Sequence, residues 1–311
     1  MRLVFMGTPD FSVPALEALI RGGHTVEAVV TQPDKPKGRG GAVQMTPVKE
    51  AALAHNIPVW QPAKIRKDPE FLAKLKALDP EVIVVIAFGQ ILPREVLELP
   101  KYGCINIHAS LLPMYRGAAP IQQVILDGQK ETGVTTMYME EGLDTGDMLL
   151  KTVVPIAADE TGGSLHDKLA EAGGDLILET LKGLEAGSLT RIPQEGETCY
   201  AGMITKTLGK IDWTKDAASI ERLIRGMSPW PSAYTSLGTK TVKLWRAQVL
   251  PQGPEAKAEP GTVVSVSKDS FSVQTGDGLL LIRELQLEGK KRMETAAFLR
   301  GCPLKKGDRL G

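Results

Sequence analysis

The chain has 311 residues, 42% apolar and 24% charged, the make-up of a folded globular protein, which excludes disorder as its main state. No apolar run approaches the ~18 residues needed to cross a bilayer, and Met1-Arg2-Leu3-Val4-Phe5 enters a strand pattern at once, so no signal peptide is expected. A net charge of zero hides a division: residues 1–205 carry 19 Lys and Arg against 26 Asp and Glu (−7), and residues 206–311 carry 18 against 11 (+7).

The elements alternate from the start. Arg2–Met6 reads as a strand and Gly7–Asp10 as a turn. A helix follows over Phe11–Ile20, with Ser12 as its N-cap and Pro14 in the first turn. Thr25–Thr31 is the next strand. Pro33–Gly41, rich in Gly, Pro, Lys and Arg, reads as a mobile loop. Helices are predicted over Thr46–His55 and Pro69–Leu78, with a short strand Val59–Trp60 between them. Glu81–Phe88 is almost unbroken apolar sequence, the mark of a strand buried on both faces. Then come strand Ile105–His108, helix Ala118–Leu126, strands Thr135–Met139 and Met148–Val154, and a long amphipathic helix Ser164–Leu184. Residues 187–208 form a connector without a clear period. Beyond it, helix Asp216–Met227 precedes short strands Val242–Trp245, Gly261–Val266, Ser270–Gln274 and Leu279–Leu285.

This order predicts an α/β fold: a parallel, Rossmann-like doubly wound N-terminal sheet followed by a small OB-like β-barrel. The expected division is 1–189, a linker over 190–206, and 207–311. Ligands on doubly wound sheets bind beyond the carboxyl ends of the strands, at the switch point, which directs attention to the segments after Phe88 and after His108.

The second of these carries chemistry. In Cys104–Pro120, "CINIHASLLPMYRGAAP", Asn106 and His108 alternate with Ile105 and Ile107 and share one face of their strand. An amide and an imidazole buried together without partners would cost about 1–3 kcal/mol each, so their place at a strand's carboxyl end argues for a site. A carboxylate is offered by "MEEGLDTGDMLL" (Met139–Leu150), where spacing leaves Asp144 and Asp147 equal candidates. Asn, His and a carboxylate suit attack by an amine or water on an acyl carbon. The amide donates to the oxygen that gains charge, and the imidazole donates to it or relays a proton. No GxSxG elbow is present, and Cys104, which shares the face, reads as a small core residue, so direct transfer is the simpler chemistry. Cys104, Cys199 and Cys302 form no CxxC, and the four histidines form no HxxxH. Neither a disulfide framework nor a metal is expected, and a reducing cytoplasm fits. After the first strand comes "GTPDFS" rather than GxGxxG, which argues against a dinucleotide.

The blocks "MGTPDFSVPALEAL", "TQPDKPKGRG", "INIHASLLPMYRGAAPI", "GVTTMYMEEGLDTGDML" and "SPWPSAY" resemble, in order and over nearly the whole chain, the methionyl-tRNA formyltransferases. The middle blocks are shared with the wider superfamily that uses 10-formyltetrahydrofolate. The resemblance implies formyl transfer from that donor to the α-amine of methionine on initiator tRNA, in a monomer without metal. It implies Asn106, His108 and Asp144 as the catalytic trio, choosing Asp144 over Asp147. It also implies a folate site at Phe88, Gly89, Gln90, Ser110, Leu111, Leu112 and Pro113, with the pterin against backbone near residues 86–90 and the 139–144 loop. On the tRNA side it implies Arg39 at the acceptor end; the loop's other cations, Lys35 and Lys37, suit the acceptor stem by their charge, and Lys206 and Lys210 of the linker are phosphate candidates by theirs. Lys290, Lys291, Arg292, Lys305 and Lys306 are further phosphate candidates in the basic 207–311 region. Two positions depart from the family: Ser228 stands where Asn is frequent, and Met114 where some relatives carry Arg. Trp230, between two prolines, is expected to pack its helix onto the barrel. The rival readings are a formyltransferase acting on a sugar or other small amine, a deformylase that hydrolyses the donor, and a non-catalytic RNA-binding protein. None of the three needs both the trio and the basic region.

Overall fold

A computed structural model describes residues 1–37, 42–253 and 257–311, with the side chains of Lys37 and Ala42 excepted. They divide into two compact units. One comprises Met1–Pro120, Glu131–Pro155 and His166–Ala201; the other Ile121–Lys130, Ile156–Leu165 and Gly202–Gly311.

The first unit is built on a seven-stranded sheet. Arg2–Gly7 lies in it between Val82–Ile86 and Thr25–Val30; Val59–Trp60 ends one side, and Cys104–His108, Glu131–Tyr138 and Met148–Pro155 continue the other. Val82–Ile86 is buried at every position, as its β-branched run demands. The five strands from Val59–Trp60 to Cys104–His108 are parallel; Glu131–Tyr138 runs against them, and Met148–Pro155 reverses again to pair antiparallel with it. The wholly parallel expectation is corrected there: a nine-residue link from Met139 to Asp147 is too short for the crossover that a parallel pair needs, so Glu131–Tyr138 and Met148–Pro155 pair antiparallel.

The chain runs from the central strand outward to Val59–Trp60, then returns to the other side at Val82–Ile86, which sets the switch point between Arg2–Gly7 and Val82–Ile86. Side chains tie that point together: the Thr8 hydroxyl donates to the Phe88 carbonyl at 3.0 Å, and the Ser12 hydroxyl to the Ile86 carbonyl at 2.8 Å. Ser12 therefore makes no side-chain cap for helix Val13–Arg21, contrary to expectation, because its hydroxyl is spent on the neighbouring strand. Thr46 and Asp68 do cap their helices, accepting from Lys49 N–H and Phe71 N–H.

Part of the predicted loop over Pro33–Gly41 is strand instead. Lys35–Lys37 pairs antiparallel with Ala42–Gln44 as a hairpin. Its base is held by Lys49, whose ammonium donates to Asp34 Oδ2 at 2.5 Å and to Gln61 Oε1 at 2.9 Å.

In the second unit, helix Ala217–Gly226 lays Ile220 and Ile224 into a core with Leu244, Phe271, Leu280 and Ile282. The sheet runs Ala233–Leu237, Lys240–Leu250, Leu279–Leu287, Phe271–Gln274, Val263–Val266, antiparallel throughout. Register shifts around Arg246 let the eleven-residue strand Lys240–Leu250 coil. The two edge strands are joined through the C-terminal segment. Leu310 bridges Leu237, Arg309 bridges Thr262, and Gly307 N–H donates to the Val263 carbonyl at 2.8 Å. Sequence patterning missed strand Ala233–Leu237 and helix Thr295–Gly301, both too short to show a period. Trp230 is 55% exposed, which overturns its expected packing role: the flanking prolines turn the chain so that the small Ala233, not the indole, enters the core. Among the described residues no helix is long and apolar enough to cross a membrane.

Candidate active site

Strand Cys104–His108 delivers the first two polar groups. His108 is buried, and its Nε2 donates to the Tyr115 carbonyl at 2.8 Å. A carbonyl only accepts, so the proton on Nε2 is the donor and Nδ1 is the nitrogen that faces Asp144, 3.8 Å from its Oδ2. Asn106 is half-buried, and its amide has no hydrogen-bond partner among the described residues. Because Nε2 of His108 is committed to Tyr115, the Asn106 amide is the donor on this strand left for a ligand. Cys104 lies in the core, where burial pushes its thiol up to about 12. It is inert packing, as expected.

Tyr115 adopts φ +59°, a left-handed conformation unfavourable for a bulky residue. Its surroundings over-determine it: the ring is buried, the N–H donates to Cys199 Sγ at 3.3 Å, and the carbonyl holds His108. The preceding loop satisfies itself. The Ser110 hydroxyl donates to the Met114 carbonyl at 2.7 Å, and Thr135 Oγ1 donates to the Ser110 carbonyl at 2.7 Å while accepting from Leu112 N–H at 3.1 Å. Lys151 Nζ donates to the Leu112 carbonyl, and burial lowers that lysine's pKa.

Asp144 also has positive φ, +53°, which a short polar side chain tolerates. Its Oδ2 accepts Gly117 N–H at 2.9 Å. Asp147 goes elsewhere: it pairs with Arg191 at 3.1 Å, and Arg191 stacks over Tyr138. The ambiguity that spacing left between the two aspartates is thus separated in space.

Among the residues named for folate, Phe88 is buried in the core and Leu112 packs with Met137 and Met148. Gln90 ties its own segment down, accepting Ile65 N–H at 2.9 Å and donating to the Pro62 carbonyl at 2.9 Å. Gly89 is exposed with φ +83°, and Leu111 and Pro113 are half-buried. Among the cations, Lys35, Lys206, Lys210, Lys290, Lys291 and Lys305 are exposed. Lys37 lies in the hairpin, and Arg39 lies outside the described residues. Arg292 is committed to Glu284 through two contacts, at 2.5 and 2.8 Å, and stacks on Trp245.

Sequence reasoning gave the connector only linker lysines for tRNA and no part in the site, yet its residues 192–201 lace the site together. Ile192 and Met148 exchange backbone hydrogen bonds. The Thr198 hydroxyl donates to the Pro113 carbonyl at 2.6 Å, and Tyr200–Ala201 pairs with Arg116–Gly117. Within 191–198, Gln194 is the one residue that is not exposed.

Residues 1–181 match the family described as formyl transferase, and residues 203–303 match the formyl transferase C-terminal domain. The chain is 56% identical over 310 residues to the methionyl-tRNA formyltransferase of Agathobacter rectalis, covering 99% of this chain and 98% of that one. It is 51% identical over 312 residues to that of Clostridioides difficile, covering 100% of both chains. Among solved structures, the methionyl-tRNA formyltransferase from Clostridium thermocellum is similar with a TM-score of 0.54 at 20% identity, over 80% of this chain and 93% of that one. The N-formyltransferase from Helicobacter canadensis, in complex with folinic acid and dTDP-3-aminofucose, gives 0.66 at 19% identity, over 94% and 99%. Likeness at such identity speaks for the fold alone.

Proposed function

Because the chain belongs to the methionyl-tRNA formyltransferase family, we propose that it transfers a formyl group from 10-formyltetrahydrofolate to the α-amine of methionine on initiator tRNA, by direct attack. The observation that carries the reading is the end of one strand: an unpartnered Asn106 amide beside a His108 that faces Asp144, in a chain alike over its full length to such enzymes.

The chemistry follows from those groups. The neutral amine attacks the formyl carbon, a new N–C bond forms, and the carbonyl oxygen gains charge. Asn106 donates to that oxygen, the interaction that strengthens as charge develops. The amine must lose a proton and the departing folate nitrogen must gain one. The Nδ1 edge of His108, with Asp144 beside it, manages that exchange, while Tyr115 fixes the ring through Nε2. The C–N bond to the donor then breaks, and tetrahydrofolate leaves protonated.

The residues present fit a folate. Ala87, Gly89 and Ile91 are exposed while Phe88 and Leu92 are buried, so an anchored segment presents its backbone outward. The 140–143 stretch is exposed as well. Backbone N–H and C=O groups of this kind suit the donor-and-acceptor edge of a pterin. Lys35, Lys206 and Lys210 would hold tRNA phosphates, with Lys37 and Arg39 of the loop, and residues 206–311 supply the +7 balance for a polyanion. A monomer working in the cytoplasm suits three free cysteines.

The test is formyl transfer with labelled donor, offered in parallel methionyl initiator tRNA, free methionine and a nucleotide-linked amino sugar. Product on the tRNA alone is expected. Product on the sugar alone, or hydrolysed donor alone, overturns the reading.

A further inference from the structure

We infer that Gln194 is a positioning residue for the reaction, a bracket that holds the Asp144 carboxylate against His108; this rests on the reading of Asp144 as part of the catalytic site. Its amide is satisfied on both sides. Nε2 donates to the Asp144 carbonyl and to the Gly146 carbonyl, both at 2.8 Å. Oε1 accepts from Arg116 Nε at 2.9 Å and Arg116 Nη2 at 2.8 Å. Arg116 precedes Gly117, whose N–H holds Asp144 Oδ2 at 2.9 Å, so one side chain grips both the turn that carries the carboxylate and the strand that receives it. The turn needs a grip. Asp144 sits at φ +53°, and most of the connector around Gln194 is exposed, so little buried area holds these segments together. Gln supplies what the position requires, two donors for two carbonyls and one acceptor for a guanidinium fork. Neither Leu nor Glu supplies the donors.

Three variants of the full chain test this: Gln194→Leu, Gln194→Glu and Asp144→Asn, with the double variant of Gln194→Leu and Asp144→Asn. Gln194→Leu is expected to lower kcat about 10- to 100-fold with a smaller change in KM, the size of effect that displacing a group by about 1 Å produces. Gln194→Glu keeps the acceptor for Arg116 and loses both donors, so it is expected to lose kcat as Leu does. In the double variant the two losses should fall well short of multiplying, because the bracket has nothing left to hold. Three results overturn the proposal: a wild-type kcat in Gln194→Glu, full multiplication of the losses, or a lowered Tm with kcat untouched. Should Gln194→Leu fail to fold, Gln194→Glu decides alone. An Asp144→Asn variant with undiminished kcat removes instead the reading on which the proposal stands, a separate and recognisable failure.

Discussion

The carbonyl of Tyr115 accepts the Nε2 proton of His108 at 2.8 Å, from a backbone held at φ +59°. One strained residue thus orients the imidazole: with Nε2 occupied, the ring meets Asp144 through Nδ1. On the proposed reaction it also separates the duties on the strand, leaving charge stabilisation to Asn106 and proton exchange to His108.

That separation makes two alanine variants behave differently. Asn106→Ala removes an amide without a protein partner, so stability is expected to stay within about 0.5 kcal/mol while kcat falls roughly 10²–10³-fold. His108→Ala is expected to be as damaging to kcat but also to destabilise by about 1–3 kcal/mol, because it removes a buried ring and its hydrogen bond to the Tyr115 carbonyl. Steady-state kinetics beside urea unfolding checks both.

The two aspartates of the 139–147 stretch should part company. Asp144→Asn is expected to lower kcat with the circular dichroism spectrum unchanged. Asp147→Asn loses a pair whose Arg191 side chain is 57% exposed, so it should cost well under 1 kcal/mol and leave kcat near wild type. Equal losses in both variants would contradict the geometry.

Gly117 has φ +107°, and a Cβ there would stand 2.7 Å from the Ala201 carbonyl oxygen. Gly117→Ala should therefore push the connector strand away and lower both Tm and activity, by about 1–3 kcal/mol in stability. Gly202→Ala, at an ordinary φ with nothing within 4 Å, is the control and should change neither. Differential scanning calorimetry with activity assays distinguishes them.

Asp216 caps helix Ala217–Gly226, accepting Ser219 N–H at 2.8 Å and the Ser219 hydroxyl at 2.6 Å. The hydroxyl first, then the backbone N–H, hold its carboxyl below the ordinary aspartate value. A depressed carboxyl stabilises the fold above its unfolded pKa and loses that contribution as pH falls through the folded one. Asp216→Ala should cost about 1 kcal/mol at pH 7. The gap to wild type should narrow below about pH 4, as the wild-type carboxyl protonates. Urea midpoints measured from pH 7 down to 3 test the sign.

Binding to tRNA should weaken steeply with salt. Lys206→Ala and Lys210→Ala should each reduce the slope of log Kd against log salt by about 1. Arg292→Ala should leave the slope unchanged, since that guanidinium is already spent on Glu284. A filter-binding titration at several salt concentrations reads all three.

The sequence by itself determined the alternation of strands and helices, the doubly buried Val82–Ile86 and the shared face of Asn106 and His108. These were legible because periodicity reports which side of an element is apolar, and burial follows from that. The charge division was equally plain in composition. Spacing did not choose Asp144 over Asp147; only the resemblance did, and the contact to His108 is a matter of the fold. Tertiary structure alone decided that Glu131–Tyr138 runs against the rest of its sheet, that Trp230 is exposed, and that the connector laces the site. Those outcomes rest on pairings between residues remote in the chain. Gln194 meets Asp144 across 50 positions and Arg116 across 78. A local pattern carries no record of which distant carbonyl an amide will find, because that choice is made by the packing of the elements between them.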